Sequence, residues 1–420
     1  MKFFFPDSQD QVDPSFDFET EERSALRLRH RDDHYAHEEF AVPPFDGILV
    51  SKAMVEQGRY TLAQKHRLHR MGVRGFFRMQ DPRMETLGDC GAFSYVRQEY
   101  PPYSVQDVVS FYDDLGFDYG ISVDHVILGY DAKLDRCNAP VEWKLRQDIT
   151  LNLADEFLRE HKARSSKFQP LGVAQGWSPE SYAYSVDSLR KMGYTYVALG
   201  GMVPLKTHEI VACLERLQEV RQGDMRFHLL GVTRCEYVRE FERYGVVSFD
   251  STSPLRQAFK DLTDNYYMRD RTYIALRVPQ VQANPSLLKR ILSGQVNQAE
   301  ARTLERECMK VLSRFDKGEA SVEDVLQPLL SYSDLYDPGR GQAESYRETL
   351  TDAPWKSCEC DICGRIGIHV ILFRGAERNR RRGFHNLFVF YNRLHQHLKT
   401  QPDVQAFALT SSASSNGGRN

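Results

Sequence analysis

The sequence predicts an α/β protein: a (β/α)8 TIM barrel with a helical insertion and a C-terminal metal-binding subdomain. Three observations predict it. Short apolar runs alternate with amphipathic helices across residues 46–283. Residues 284–350 then turn helical, and residues 351–400 carry three bunched cysteines and a basic helix. Regular strand–helix–strand alternation means parallel βαβ units. Seven such strands in one run favour a closed barrel over a doubly wound sheet. At 420 residues the chain exceeds the ~250 typical of a bare barrel, which leaves room for the additions.

The expected strands are short and rich in apolar or β-branched residues. In order they are 47–51, Val73-Arg-Gly-Phe-Phe-Arg78, 117–123, 170–174, 194–199, 226–230 and 246–249, with 272–278 as the candidate eighth. Helices fall between them. Ser104 opens one with a capping-box-like start, and Val105, Val108, Val109 and Tyr112 share a face. Ser178-Pro179 caps another, which Gly193 stops. Thr207 begins a helix striped by Ile210, Cys213, Leu214 and Leu217, and Arg234–Tyr244 repeats the pattern with Val238 and Phe241. Residues 1–45 read as an acidic arm, because residues 1–40 hold eleven Asp/Glu against five Lys/Arg. Its His30, His34 and His37 read as part of a solvated polar segment. Within 284–350, residues 287–292, 299–315 and 322–330 are expected helices. Residues 401–420 are expected to be a disordered tail.

Hydrophobic residues make up 41% and charged residues 27%, ordinary for a globular chain. Lys plus Arg is 55 against 58 Asp plus Glu, a net charge of -3. That excludes a polycation coating nucleic acid but allows a local basic surface. No run reaches the ~18 apolar residues of a membrane span, and the start, Met-Lys-Phe-Phe-Phe-Pro-Asp, has no signal-peptide pattern. A cytoplasmic protein without membrane contact is expected.

Cys358-Glu-Cys360-Asp-Ile-Cys363 is followed, after 21 residues, by His385-Asn386. Three thiolates and an imidazole suit a tetrahedral Zn2+ site, and four protein ligands leave no open position, so the expected role is structural. Polar residues and glycines also sit where barrel strands should end: Asp124, Gln175-Gly176, Gly200-Gly201 and Asp250. Asp89 lies in the Gly-flanked stretch Leu87-Gly-Asp-Cys-Gly-Ala-Phe93. In a barrel such positions converge on the C-terminal face, where active sites lie. Several carboxylates at one mouth suit acid/base or covalent chemistry.

The zinc pattern resembles that of the queuine tRNA-guanine transglycosylases. So do Asp-Cys-Gly-Ala-Phe93, Gln175-Gly176, Gly200-Gly201-Met, Gly231-Val and Phe249-Asp250, which occur in that family's order across about 45–395. The resemblance implies a zinc-containing barrel that exchanges guanine in a nucleic acid for a 7-deazaguanine. It makes Asp250 the nucleophile at the sugar C1′ and Asp89 the acid/base. It makes Asp124, Gln175, Gly200 and Gly201 the base-binding residues. Two carboxylates handling an oxocarbenium-like centre and a proton is retaining-glycosidase logic.

Departures from the tRNA enzymes are Asp250-Ser-Thr-Ser-Pro-Leu-Arg256 after the nucleophile, Val123-Asp-His125 at the base-recognition stretch, and the helical insertion. They make the chain similar to the DNA-guanine transglycosylase branch (the DpdA family), which installs 7-cyano-7-deazaguanine (preQ0) in DNA within restriction-modification-like clusters. That branch implies DNA as substrate and a partner ATPase. The alternatives are a transglycosylase acting on tRNA and a catalytically silent nucleic-acid-binding subunit; retention of Asp89, Asp124 and Asp250 argues against the latter. Candidate DNA contacts are Arg256 and the basic helix residues Arg378, Arg380, Arg381 and Arg382. A second basic run is 65–70, while Phe384, Phe388 and Tyr391 read as core of the zinc region.

Overall fold

A computed structural model describes residues 1–260 and 263–399. The expected tail at 401–420 lies outside the described residues. Eight parallel strands close into a barrel: β1 (Lys2–Pro6), β2 (Gly47–Ser51), β3 (Glu85–Asp89), β4 (Tyr119–Ile121), β5 (Gln169–Ala174), β6 (Tyr196–Leu199), β7 (Arg226–Leu229) and β8 (Val246–Asp250). Each pairs with its sequence neighbours, and β1 closes the ring on β8 with Phe4 opposite Asp250.

The expected barrel is present, with two strands reassigned. Residues 73–78 are not a strand. They end the Leu62–Phe76 helix and turn away from it, and Thr61 caps that helix by accepting from the Gln64 N–H. Leu68, Val73 and Phe76 are its buried face. Residues 272–278 also lie outside the barrel. Thr272–Tyr273 pairs with Tyr266–Tyr267, and Leu276–Arg277 pairs with Leu372–Phe373. Their places are taken by β1, from the segment read as an acidic arm, and by β3. In β3, Thr86 is tied to Asp118 by its N–H and its hydroxyl.

Period-two alternation sorts the strands' side chains. Phe3 and Phe5 face the outer layer, while Phe4 joins Leu49, Leu87, Ile121, Leu171, Val173, Tyr196 and Ala198 inside the barrel. The 284–350 region is helical as expected: Pro285–Leu292, Gln298–Asp316, Val322–Tyr336 and Ala343–Asp352. The long Gly375–Lys399 helix covers the β8–β1 seam. Its Phe390 ring lies 5.1 Å from Phe3 and 6.2 Å from Phe249. A Cβ at Gly383 would come within 2.7 Å of Leu255, so that residue permits close approach to the Ser253–Gln257 helix. Phe384 is fully buried, Phe388 stacks on Phe40, and the Tyr391 hydroxyl donates to Asp46.

Arg374, just before this helix, and Arg378 and Arg381 on it hold the N-terminal arm. Arg374 and Arg378 pair with Glu21, and Arg381 bridges Glu377 and the Asp13 carbonyl. Arg382 donates to the carbonyls of Val370, Leu372 and Ala258 and to Asn379. Arg378, Arg381 and Arg382 are buried, at 1%, 4% and 0% exposure. This corrects their assignment as DNA contacts, because a buried guanidinium committed to carboxylates and carbonyls cannot reach a phosphate. Arg380 is partly exposed, and it bonds the Gln11 carbonyl and faces Asp10. The arm is likewise packed, not merely solvated. His37 is buried with Nε2 against the Phe77 carbonyl, His34 meets Glu39, and His30 meets Gln11.

Arg382→Ala would take the donor from the Val370 and Ala258 carbonyls, at about 1–3 kcal/mol each, while the Leu372 carbonyl keeps the Arg374 N–H. A loss of about 3 kcal/mol or more is expected in denaturant unfolding, with the salt slope of DNA binding unchanged. Unchanged stability with a shallower salt slope would restore Arg382 to the DNA interface.

Candidate active site and metal centre

The barrel's C-terminal mouth holds a cavity of about 460 Å³. Asp89 ends β3, Asp124 follows β4, Gln175 follows β5, Gly200 and Gly201 follow β6, and Asp250 ends β8. All six line this cavity, as does Arg256. Apart from Gly176, the residues singled out at strand ends therefore share one site, and of the five arginines proposed for nucleic acid only Arg256 lines it.

Asp124 is buried beneath the cavity. Its carboxylate accepts from the Gln175 amide at 2.7 Å and from the Cys90 thiol at 3.3 Å. The Tyr95 hydroxyl donates to the Asp124 carbonyl at 3.1 Å. Gln175 is oriented from its other end by the Ile127 N–H, at 3.1 Å. A Cβ at Gly200 would collide with the Gln175 amide, and Gly201, at φ +71°, would collide with the Ile127 carbonyl. The glycine pair thus lets the β6 end close over Gln175. The Gly200 carbonyl is fixed by the Tyr182 hydroxyl at 2.7 Å. This floor presents a carboxylate, an amide and backbone groups to the cavity.

Asp250 is also buried, and its Oδ1 accepts from the Gly231 N–H at 3.0 Å and from His228 Nε2 at 3.2 Å. Gly231 adopts φ +71°, a conformation that favours glycine. Asp89 faces the cavity from the opposite side of β2. Burial, then the negative charges of Asp124 and Asp250, push its carboxyl up to about 8. Burial lifts Asp124 to about 6, against the opposing hydrogen bonds from Gln175 and Cys90. At neutral pH Asp89 is therefore mostly a proton-carrying acid and Asp124 mostly an anion. The mouth thus sets a proton donor beside an anion.

Residues not anticipated from sequence are Arg59 and Met54 at the cavity wall and His228 inside the barrel. His228 did carry a signal, since it is a polar residue in the middle of the apolar run Arg226-Phe-His-Leu-Leu230.

Cys358, Cys360, Cys363 and His385 meet on the outer side of the fold, with their ligand atoms within 4.8 Å of one another. The three Sγ–Nδ1 separations are 3.5, 3.4 and 3.4 Å. A tetrahedron with metal–sulfur bonds of about 2.3 Å and metal–nitrogen bonds of about 2.0–2.1 Å has such an edge of about 3.5 Å. His385 Nε2 donates to the Tyr267 carbonyl at 2.7 Å, which leaves Nδ1 bare for an ion. The Tyr266 ring stacks on His385 at 4.0 Å, and its hydroxyl meets Cys363 Sγ at 3.1 Å. The four donors fit one tetrahedral metal ion.

The chain is 50% identical over 406 residues to the DNA-guanine transglycosylase of Salmonella montevideo, covering 94% of this chain and 96% of that protein. It is 29% identical over 113 residues to the queuine tRNA-ribosyltransferase of a Psychrobacter species, and 30% identical over 117 residues to that of Marinobacter nauticus. Those matches cover 26% and 27% of this chain and 30% and 31% of the two relatives. No family model matches the chain. Barrel, mouth and comparisons together define a glycosyltransferase of the superfamily that holds the queuine tRNA-ribosyltransferases. Within it, the chain belongs to the DNA-guanine transglycosylase family. Among the described residues no helix is long and apolar enough to cross a membrane.

Proposed function

We propose that this protein exchanges guanine in DNA for preQ0 through a covalent Asp250–glycosyl intermediate. The observation that carries the reading is the meeting of Asp89, Asp124, Gln175, Gly200, Gly201 and Asp250 around one cavity, in a chain half identical to a DNA-guanine transglycosylase. Asp250 supplies a carboxylate lone pair to the sugar C1′. The C1′–N9 bond breaks, its electron pair leaves with guanine, and the proton on Asp89 passes to the departing base. The ionised Asp89 then takes the N9 proton of the incoming base, whose N9 forms the new bond to C1′ as Asp250 leaves. Asp124, Gln175 and the Gly200-Gly201 backbone hold either base by its polar edge. Arg256 meets phosphate at the rim.

Bound Zn2+ would be held by Cys358, Cys360, Cys363 and His385 as a structural crosslink, with no open coordination position. A target guanine in duplex DNA must leave the stack, at about a few kcal/mol. A partner ATPase, as the resemblance implies, would suit that need.

The pH sign follows from Asp89. Adduct formation needs its proton, so the single-turnover rate should fall as pH rises through about 8. Asp89→Asn should remove both the limb and most of the rate, typically 10²–10⁴-fold for a general acid. A rate that stays flat from about pH 7 to pH 9.5 would contradict the acid role. The direct test is exchange of labelled guanine out of DNA in the presence of preQ0. Release of guanine without preQ0 incorporation would instead indicate a hydrolase.

A further inference from the structure

Asp250 is the end of a chain of buried polar groups that runs down through the barrel interior. His228 projects inward from β7, with Ser248 opposite it on β8. His228 Nδ1 lies 2.6 Å from Ser248 Oγ, and Ser248 Oγ lies 2.5 Å from the Tyr196 hydroxyl. His228 and Ser248 are fully buried, and Tyr196 is 4% exposed. The Phe4 ring packs edge-on to the imidazole, 6.1 Å away. A barrel interior is usually filled by branched apolar side chains, and each buried polar group there must find a partner.

The hydrogen bonds fix a direction. A carboxylate only accepts, so His228 Nε2 carries the proton toward Asp250 Oδ1. In the Nε2–H tautomer Nδ1 accepts from the Ser248 hydroxyl, whose oxygen can in turn accept from Tyr196. The tautomer is set from above by the Asp250 carboxylate, and the two hydroxyls below satisfy Nδ1 and hold the ring in place. Oδ1 also takes the Gly231 N–H. Both donors therefore fall on Oδ1, and neither falls on Oδ2.

We propose that His228 is a positioning residue that selects which oxygen of Asp250 attacks. It rests on the reading of Asp250 as nucleophile. The Nε2–H and the Gly231 N–H pin Oδ1 and turn the Oδ2 lone pair toward C1′. As the Oδ2–C1′ bond forms and the C1′–N9 bond breaks, the carboxylate becomes an ester with its carbonyl at Oδ1, still held by the same donors. The same contacts then hold the ester carbonyl in place for the return step. Ser248 and Tyr196 act one and two bonds further back by satisfying Nδ1 and holding the imidazole in its plane.

The test is single-turnover formation of the denaturant-resistant adduct on a guanine-containing DNA, with DNA affinity measured in parallel. His228→Asn places an amide near the Nδ1 position and leaves Oδ1 without its side-chain donor. His228→Gln extends an amide nitrogen to the Nε2 position. The Asn protein should form adduct about 10- to 100-fold more slowly with unchanged DNA affinity, and the Gln protein should recover to within a few-fold of the parent rate. Ser248→Ala keeps the imidazole and removes the hydroxyl that orients it. It should slow the rate by a smaller factor, and it serves if either His228 variant folds poorly. A parent-like rate in the Asn protein, equal losses in folded Asn and Gln proteins, or a parent-like rate in Ser248→Ala when a His228 variant is misfolded would overturn the positioning role. Asp250→Asn is run alongside. If it still forms adduct, the nucleophile assignment itself has failed. If it is inert while His228→Asn is unaffected, only the inference about His228 has failed.

Discussion

Asp250→Asn is expected to form no denaturant-resistant adduct with DNA and to lose exchange by on the order of 10³–10⁶-fold, the range seen when a covalent nucleophile is removed. An amide oxygen has nearly the carboxylate's shape but little of its nucleophilicity. The substituted side chain can still accept from the Gly231 N–H and from His228 at Oδ1, so the local structure should hold. Stability should be unchanged or slightly higher, because Asp89 and Asp124 then share the mouth with one negative charge fewer. Removing that charge also eases ionisation of Asp89, whose carboxyl should titrate at lower pH in the variant. The measurements are denaturing electrophoresis of the DNA complex, intact mass and thermal melting. Adduct in the Asn protein would assign the nucleophile elsewhere, with Asp89 the next carboxylate at the mouth.

Cys360→Ser is expected to lose the metal and to destabilise far more of the molecule than the cysteine loop. Structural zinc contributes apparent binding free energies of about 10–16 kcal/mol in small zinc modules, and that free energy is folding free energy. Here the fourth ligand, His385, sits on the Gly375–Lys399 helix. The same helix seals the β8–β1 seam through Phe390 and grips the N-terminal arm through Arg378 and Arg381. A loosened helix therefore exposes β1, the strand that closes the barrel. The expected result is less than stoichiometric zinc by elemental analysis and a melting transition lowered by many degrees. A parent-like metal content with an unchanged transition would remove the structural role.

The parts of this fold legible in the sequence are those carried by short-range pattern. Three cysteines within six residues and a histidine placed for the fourth vertex are visible because ligand chemistry permits few alternatives. The strand ends at Asp124, Gln175, Gly200-Gly201 and Asp250 are visible because each follows a clear apolar run. β3 was hidden because Glu-Thr-Leu-Gly-Asp is half polar, and its Thr86 is satisfied by Asp118, a partner 32 positions away. Val73, Phe76 and Phe77 resemble a strand in composition, yet their spacing is helical. β1 was hidden by the acidity of the segment that follows it.

The arginines are a different kind of miss. Charge can be read from one position, but a partner 357 residues away cannot, and Arg378 meets Glu21 at that separation. From sequence alone the acidic arm looks solvated and the basic helix looks substrate-facing. They are each other's partners, which is how a chain with a net charge of only -3 can hide two charged runs. His228 shows the converse case, where one polar residue inside an apolar strand marked the interior chain beneath Asp250.

Exchange in DNA and the need for Asp250 are read together by nucleoside mass spectrometry of total DNA and tRNA from cells expressing this chain with its neighbouring genes. A DNA transglycosylase with Asp250 as its nucleophile leaves a 7-deazaguanine deoxynucleoside in DNA that disappears in the Asp250→Asn strain. Modification confined to tRNA, or DNA modification that survives the substitution, would contradict that assignment.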